Sequence, residues 1–451
     1  MRRNRSPSEG TPAHRQLFLQ RLDEMIDMRH SLVRLAGLMP WDTIANNLAI
    51  EWSAAPIGPG RPAMPLRLMV GLLYLKNAFN LSDEAVCERW LENPYYQYFC
   101  GEVFFQTRMP CDPTTLMRFR QKLGVAGVEE LLAQTIEIAK DQGAVKRADL
   151  ETLIIDSTVQ EKAVAYPTDS RLFEIARRKL VMAAARNGVV LRQSYTRIGK
   201  HLQRQAGGYA HAKQFKRLRR VLRTQRTILG RIIRDIERKA DANQLAQMAT
   251  LLERARRFHT QQRTDKNKLY ALHAPEVECI GKGKARQPYE FGVKVGIAIS
   301  AKAGLIIGAR AFPGNPYDGH TLPSHVEQAE ILSGVKPKRI VADLGYRGQV
   351  VPDVQVIHRG RYKSLTPAER KLLKRRQAVE PTIGHLKEEH RMRRNHLKGQ
   401  LGDALNAVMA AAGYNIRWLL RWLGRRFMAF LSALIMFMYS ETGTNPEMSP
   451  A

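Results

Sequence analysis

The sequence predicts an α/β domain that is interrupted by a long basic helical insertion and preceded by an all-α region. Three observations support this fold class. Apolar residues recur with helical spacing from Gln16 to about Gly143. Short apolar or alternating runs, typical of strands, occur at 153–155, 290–300, 305–312 and 338–343. Between the first two of these runs, at about 165–275, helical periodicity returns with a large excess of basic residues.

The charge balance of the chain favours a polyanionic partner. The 451 residues carry 72 Lys and Arg against 42 Asp and Glu, a net charge of +30 and a pI near 10.3, and nucleic acid is the first candidate. Four scattered cysteines form no CxxC pair, which argues against a zinc site and a disulfide framework. The N-terminus lacks the apolar core of a signal peptide. The apolar run Phe427–Tyr439 is too short to span a bilayer, and we interpret it as a buried or partner-facing helix, with membrane association as the alternative.

Helix signals divide the first 145 residues. Residues 1–15 are predicted to be disordered, Leu66–Phe79 to form an apolar helix, and Ser82 and Asp112 to cap the starts of two further helices. The aromatic stretch Asn93–Phe105 is either a packed hinge or a platform for bases. Basic residues on the predicted helices suit DNA binding, including Arg118, Arg120 and Lys122.

The helical insertion holds much of the positive charge. Residues 181–270 contain 22 Lys and Arg but only 5 Asp and Glu. Its longest helix, Phe215–Arg238, carries Lys216, Arg217 and Arg220, which we predict to contact DNA phosphates. A basic structural arm is the alternative interpretation.

Two aspartates follow predicted buried strands. Asp156 is predicted to end the strand that contains Leu153–Ile155, and Asp343 to end the strand Lys338–Asp343. An acid in such a place is either a cap of a turn or helix, or a metal ligand. The elements between and after them are predicted as a hairpin turn at 301–304, a loop at 313–321, a helix at 321–332 and a strand at 354–358.

A third acid lies in a basic helical stretch, Pro367–Arg394. Arg376, Glu380 and Lys387 are spaced by four and seven residues, which places them on one helix face. Pro381 predicts that the helix begins or kinks at Glu380. A carboxylate that binds a metal beside two cations that hold a phosphate suits DNA-strand chemistry. A solvated face with ordinary ion pairs is the alternative.

Taken together, these segments resemble the bacterial insertion-sequence transposases of the DDE class, in the IS-five-like group, from about residue 30 to 420. The resemblance is carried by GRPAMPLRLMVGLLYLKNAFNLSDEAVCERW at 60–90, IIDST around Asp156, GNPYDGHTL at 314–322 and VADLGYRG around Asp343. AYPTDSRL at 165–172 and HAPEVECIGKGKARQPYEFGVKV at 273–295 resemble the family as well. The spacing of Arg376, Glu380 and Lys387 also fits its third-acid signature, but Leu373 stands where a Tyr is usual.

The resemblance implies an RNase H-like catalytic domain at 146–400, between a DNA-binding domain at 16–145 and C-terminal helices at 401–451. It implies that Asp156, Asp343 and Glu380 are catalytic and hold two Mg²⁺ ions roughly 4 Å apart, with Mn²⁺ as a substitute. Arg376, Lys387 and Arg347 would hold DNA, and His320 and His385 are weaker candidates. The implied partners are double-stranded DNA, as inverted repeats and target, and at least one further copy of the chain, in the cytoplasm at the nucleoid.

The implied reaction is cleavage at the element ends by water, followed by attack of the freed 3′-hydroxyl on target DNA. Two alternatives stay open from the residues alone. One is an RNase H-like nuclease that cuts without joining, and the other is a catalytically silent DNA-binding regulator.

Overall fold

Helices occupy the N-terminal part of the chain. The computed structural model describes residues 20–52, 64–283, 288–348 and 350–441, with the side chains of 49–52 and 427–441 left out. The predicted tail at 1–15 lies outside these residues. The N-terminal helices are α1 Leu22–Met25, α2 Ser31–Leu38, α3 Trp41–Trp52, α4 Leu66–Ala78, α5 Asp83–Glu92, α6 Pro94–Phe99, α7 Pro113–Asp141 and α8 Arg147–Leu150.

The predicted caps of α5 and α7 are confirmed. The Ser82 side chain accepts a hydrogen bond from the Ala85 N–H, and Asp112 accepts one from the Thr114 N–H. Each satisfies a donor that the first turn of a helix leaves without a partner. The aromatic stretch after Asn93 forms the short helix α6, in which Tyr96 and Phe99 are buried, so that this part of it serves packing.

Helix α4 is buried on every side, because every residue from Leu68 to Ala78 is buried. A helix with no exposed face must be covered by other elements on all sides. One neighbour is the long C-terminal helix α16, Gly399–Glu441, which also packs against α7. The two helices touch closely at Gly413, where a Cβ atom would lie 2.5 Å from the Asn77 carbonyl carbon. Helix α16 therefore shares one core with the N-terminal helices α4 and α7.

A buried charge cluster joins α4, α5 and α7. Asp83 lies 2.6 Å from Lys76 Nζ, and both terminal nitrogens of Arg120 donate to its carboxylate at 3.0 Å. The Lys76 and Arg120 side chains are only 7% and 4% exposed. Burial alone would raise the pKa of Asp83, but the two cations outweigh it and lower that pKa to about 2. Burial lowers the pKa of Lys76 to about 8.

Replacing Asp83 by Ala is expected to destabilise the protein by about 3–5 kcal/mol, because two buried cations lose their counter-charge. Urea unfolding followed by tryptophan fluorescence measures the loss. Asp23→Ala is the control, since the Asp23–Arg21 pair is exposed and its removal should leave the midpoint unchanged. Equal midpoints for the two variants would contradict the argument.

The sheet follows the helical region. Its strands are β1 Thr152–Glu161, β2 Glu278–Gly281, β3 Tyr289–Ser300, β4 Ile306–Phe312, β5 Arg339–Val341 and β6 Gln355–Ile357. Strand β1 lies between β3 and β5, and β6 lies beside β5. β1, β5 and β6 run parallel, whereas β4 and β2 pair antiparallel to β3, so the predicted hairpin of β3 and β4 is confirmed. The C-terminal region is therefore a mixed α/β structure, as predicted.

The chain divides into two units. The first comprises Met1–Gln160, Lys294–Phe312 and Pro316–Ala451, and the second comprises Glu161–Val293 and Pro313–Asn315. The second unit holds the predicted helical insertion, with its own apolar core around Phe173, Ile232 and Phe258. Its helices are α9 Asp169–Arg186, α10 Thr196–His211, α11 Phe215–Lys239 and α12 Ala242–Thr260. The domain boundaries inferred from the sequence remain predictions.

The remaining helices belong to the first unit. Helix α13, Asp318–Ser333, begins three residues before the prediction and contains Pro323 in its second turn. The helical stretch predicted at Pro367–Arg394 is divided into α14 Pro367–Arg375, a 3₁₀ turn at Arg376–Ala378 and α15 Val379–Glu389. The backbone of Phe427–Tyr439 belongs to α16, but its side chains lie outside the described set. Within the described part of the chain, no helix has the length and apolar character needed to cross a membrane.

Candidate active site

The first acid lies in the middle of a strand. The prediction that Asp156 ends its strand is wrong, because β1 continues to Glu161. Thr158 and Val159 are β-branched and buried, and they extend the strand because such side chains favour pleated, half-buried surfaces. The Asp156 side chain is 18% exposed, and its Oδ1 accepts a hydrogen bond from the Ser157 N–H at 2.8 Å.

The register of the sheet places the second acid beside the first. In the parallel pair of β1 and β5, Ile154 lies opposite Val341. Asp156 and Asp343 each come two residues after this pair. Extending the register by two residues places both side chains on the same face of the two adjacent segments. Asp343 follows the end of β5, and its Oδ1 accepts a hydrogen bond from the Gly345 N–H at 2.7 Å. It thereby caps the 3₁₀ turn Leu344–Tyr346.

Arg376 links the third acid, Glu380, to Asp156. Arg376 Nη1 lies 3.3 Å from Asp156 Oδ2, and its Nη2 lies 3.8 Å from Glu380 Oε1. The Glu380 side chain is 66% exposed. Pro381 stands in the first turn of α15, where a missing N–H costs no helical hydrogen bond, so the predicted helix start near Glu380 is confirmed within one residue. Lys387 lies two turns further along α15, about 10 Å from Glu380 along the helix axis.

A fourth acid, Asp318, was missed in the sequence. It opens α13, and its Oδ1 lies 3.0 Å from Lys294 Nζ on β3. Gly345 shows how close it comes to Asp343. A Cβ atom on that glycine would lie 2.9 Å from Asp343 Oδ1 and 3.0 Å from Asp318 Oδ2. Both carboxylates therefore flank one backbone position that has no side chain. The signal was present in the loop GNPYDGHTL, whose acid precedes a helix start.

Proton affinity reflects this crowding of carboxylates. The pKa of Asp156 is raised to about 6, first by burial and then by the charges of Asp343 and Asp318. The Ser157 N–H and Arg376 act in the opposite direction but do not cancel these effects. Burial also raises the pKa of Tyr346, with Asp318, Asp156 and Asp343 contributing, which places that phenol among the three acids. The nearby negative charges that raise this pKa would also favour a bound cation.

In metal-free buffer, Asp156→Asn is expected to raise the free energy of unfolding at pH 7 by up to about 3 kcal/mol. The unfolded chain loses this proton near pH 4 and the folded chain near pH 6, so the wild-type protein loses stability as pH rises between these values. The variant lacks this titration. Denaturation at pH 4, 5, 6 and 7 measures the difference, which should grow with pH. A difference that is constant over this range would contradict the raised pKa.

The donor set fits a hard divalent cation, because carboxylate oxygens are the ligands that such ions prefer. Asp156 and Asp343 would hold it from the sheet, with Glu380 approaching from α15. Among the described residues, however, no three His, Cys, Asp or Glu side chains already stand close enough together to hold a metal ion. Arg376 contacts both Asp156 and Glu380 in this arrangement.

The other predicted site residues are dispersed. Arg347 is exposed and follows the 3₁₀ turn after Asp343. The His385 ring contacts the Glu389 carboxylate, and His320 packs against the Tyr317 ring. Leu373, at the position where a Tyr is usual, is buried in α14. Lys216, Arg217 and Arg220 are exposed on α11 in the second unit.

Two transposase domain families match parts of this chain. Residues 20–122 match the family described as Transposase domain (DUF772), and residues 257–416 match the Transposase DDE domain. The second match includes Asp343 and Glu380 but begins after Asp156. Transposases with this domain usually use divalent metal ions. No solved structure matches the chain.

One curated relative is the uncharacterized protein ORF8 in the nfe locus of Rhizobium meliloti. It is 47% identical over 209 residues, which cover 46% of this chain and 99% of the relative. With both transposase domains present, the chain belongs to the family of insertion-sequence transposases that carry a DDE domain.

Proposed function

We propose that this protein cleaves the DNA ends of an insertion sequence of the IS-five-like group and joins them to target DNA. Its catalytic domain is proposed to be RNase H-like, and Asp156, Asp343 and Glu380 are proposed as its catalytic acids. The observations that carry the proposal are the register of β1 and β5, which pairs Ile154 with Val341 two residues before Asp156 and Asp343, and the contacts of Arg376 to Asp156 and Glu380.

The proposed reaction has two displacements at phosphorus. In the first, a water oxygen bonds to the phosphorus at the element end, the bond to the 3′ oxygen breaks, and a 3′-hydroxyl and a 5′-phosphate result. In the second, that 3′-hydroxyl bonds to a target phosphorus and releases a target 3′-hydroxyl. Bound divalent cations, proposed as two Mg²⁺ ions with Mn²⁺ as a substitute, would supply Lewis-acid stabilisation of the oxygens that gain charge.

The acids of this chain would hold the cations. Because the pKa of Asp156 lies near 6 in the metal-free site, its carboxyl is mostly ionised at pH 7, which is the form that binds a cation. Arg376 and a cation neutralise the same carboxylates, so metal binding would free Arg376 to reach a phosphate. Its planar fork can donate two hydrogen bonds to phosphate oxygens, whereas Lys387 offers a compact charge.

DNA is the proposed partner, as inverted repeats and as target, and pairing of two ends would require at least a dimer. The cytoplasm is the proposed location, with the protein at the nucleoid when bound. Basic side chains of the second unit, including Lys216, Arg217 and Arg220, are proposed to track DNA phosphates.

The test is a cleavage and joining assay with the purified protein, Mg²⁺ or Mn²⁺, and DNA that carries its own gene with the flanking sequence. Cuts at inverted repeats that bracket the gene, absent with Asp343→Ala and with chelator, are expected. Joining to a second DNA distinguishes the transposase from a plain nuclease. Binding without cleavage by the native protein would instead support the silent DNA-binding regulator and overturn the proposal.

A further inference from the structure

A cavity of about 460 Å³ in the first unit lies where α2, α4, α5, α6 and α16 meet, away from the acids. We call it the arginine pocket, after three of its lining residues, Arg89, Arg417 and Arg421. Its size is that of a small-molecule site. Among the residues that the structure describes, none of these three arginines forms an ion pair.

The nearby acids are already engaged. The Asp27 carboxylate pairs with Arg29 at 3.1 Å, and the Glu389 carboxylate contacts His385 at 2.6 Å. The arginine pocket is therefore rich in positive charge, and the acid that interacts with Arg417, Glu389, is shared with His385. Its polar edge also includes the start of α2, where Ser31 and Leu32 line the cavity. The Leu32 N–H donates to His30 Nδ1 at 3.2 Å, so the helix start contributes its partial positive charge rather than this hydrogen bond.

Aromatic rings form the rest of the wall. The His30 and Tyr95 rings lie 4.3 Å apart, and the Phe79 and Tyr96 rings lie 5.4 Å apart. The Arg417 guanidinium stacks over the Phe79 ring at 5.1 Å. Binding of phosphate alone would not require aromatic rings, and binding of an apolar ligand would not require arginines. A nucleotide needs both, because its base stacks on rings and its phosphate pairs with guanidinium groups.

The place of the arginine pocket connects it with the acid site. Helix α15 begins one residue before Glu380 and is followed by His390. The His390 ring contacts the Asn77 carbonyl oxygen at 2.9 Å and packs against the Tyr414 ring. Arg421 lies over the same Tyr414 ring. The pocket thus lies near the end of α15, and the ten residues from Glu380 to His390 span roughly 15 Å along the helix axis. That length is about four nucleotides of one DNA strand at 3.4 Å each.

We propose that the arginine pocket binds one unpaired nucleotide of the DNA strand that passes the acid site. The base lies against the aromatic wall, and the phosphate binds Arg417 and Arg421. A stacked, paired base cannot enter a cavity of this size, so the pocket selects DNA that is locally unpaired. The proposal rests on the proposed function only in taking DNA as the substrate.

DNA binding by the protein is measured without metal, in the presence of a chelator, so that cleavage cannot contribute. The probes are a fluorescein-labelled 12-nucleotide single strand and a 20-base-pair duplex. Arg421→Gln is expected to weaken binding of the single strand about tenfold and of the duplex less than threefold. Arg147→Gln removes the same charge from an exposed site on α8 and should change both affinities by less than threefold. Equal effects of the two variants on the single strand would overturn the proposal.

A second measurement tests the aromatic wall. The same single strand carries a central 2-aminopurine, and wild-type protein should quench the fluorescence of that base. With Tyr95→Leu, at least half of the lost fluorescence should return. Unchanged quenching in Tyr95→Leu would count against base stacking in the arginine pocket. The cleavage assay is separate: a native protein that binds single strands in this way but never cuts DNA would refute the proposed function and leave the pocket assignment standing.

Discussion

Asp156→Asn, Asp343→Asn and Glu380→Gln are each expected to reduce DNA cleavage by ~10³-fold or more, about 4 kcal/mol of activation free energy. Each substitution keeps the shape of the side chain and removes one negative charge from the group that would hold the cations. Asp156 and Asp343 interact electrostatically, so losing either one would leave the other without its partner at the cation. Rates of strand cleavage at saturating Mg²⁺ measure the effect.

The control for these variants is Asp353→Asn, an exposed carboxylate that pairs with Lys336 outside the acid site. It should cleave at the wild-type rate. DNA binding in chelator should be retained by all three acid variants, because none of them removes a basic side chain. Wild-type cleavage by any of the three would refute its assignment, and lost binding would indicate a folding defect rather than a catalytic one.

DNA affinity is expected to fall steeply with salt, by ~10³-fold or more between 50 and 200 mM if the protein neutralises six or more phosphates. Replacing Lys216, Arg217 and Arg220 by Gln should lower the slope of log affinity against log salt by about 2 to 3, because each phosphate contact contributes about 0.9. All three side chains are exposed on α11. Fluorescence anisotropy with a fixed duplex, over a salt series, measures the slope.

A triple variant with equal charge loss provides the comparison. Arg256, Lys336 and Lys338 already pair with Glu237, Asp353 and Glu151, so replacing them by Gln should leave the slope within about one unit of wild type. If both triple variants lower the slope equally, α11 has no special role and only net charge matters. A flat salt dependence of the wild-type protein would refute phosphate tracking altogether.

Much of the local structure follows from residues that are close in sequence. The caps at Ser82 and Asp112, the hairpin of β3 and β4 and the helices of the insertion each depend on signals within a few residues, such as a side-chain oxygen before a helix or an alternating apolar pattern. The three candidate acids were also found in this way, by their positions relative to short apolar strands and a basic helix. Their catalytic roles stay predictions.

The arrangement of the acids was decided only by the tertiary structure. Arg376 contacts Asp156 across 220 positions of sequence, and no local pattern encodes such a contact. The length of β1 was mispredicted because Asp156 looks like a strand end, whereas neighbouring strands stabilise the backbone on both sides of it. Asp318 was overlooked for the same reason, since its approach to Asp343 depends on the packing of a loop and on Gly345.

The sequence by itself therefore determined the types of element, the excess of positive charge and the acids worth testing. The tertiary structure decided which acids meet, which cation neutralises them and which helices enclose the arginine pocket. The physical reason is one of range. Capping and periodicity act over one or two turns, whereas register, burial and the raised pKa of Asp156 depend on groups brought together from distant parts of the chain.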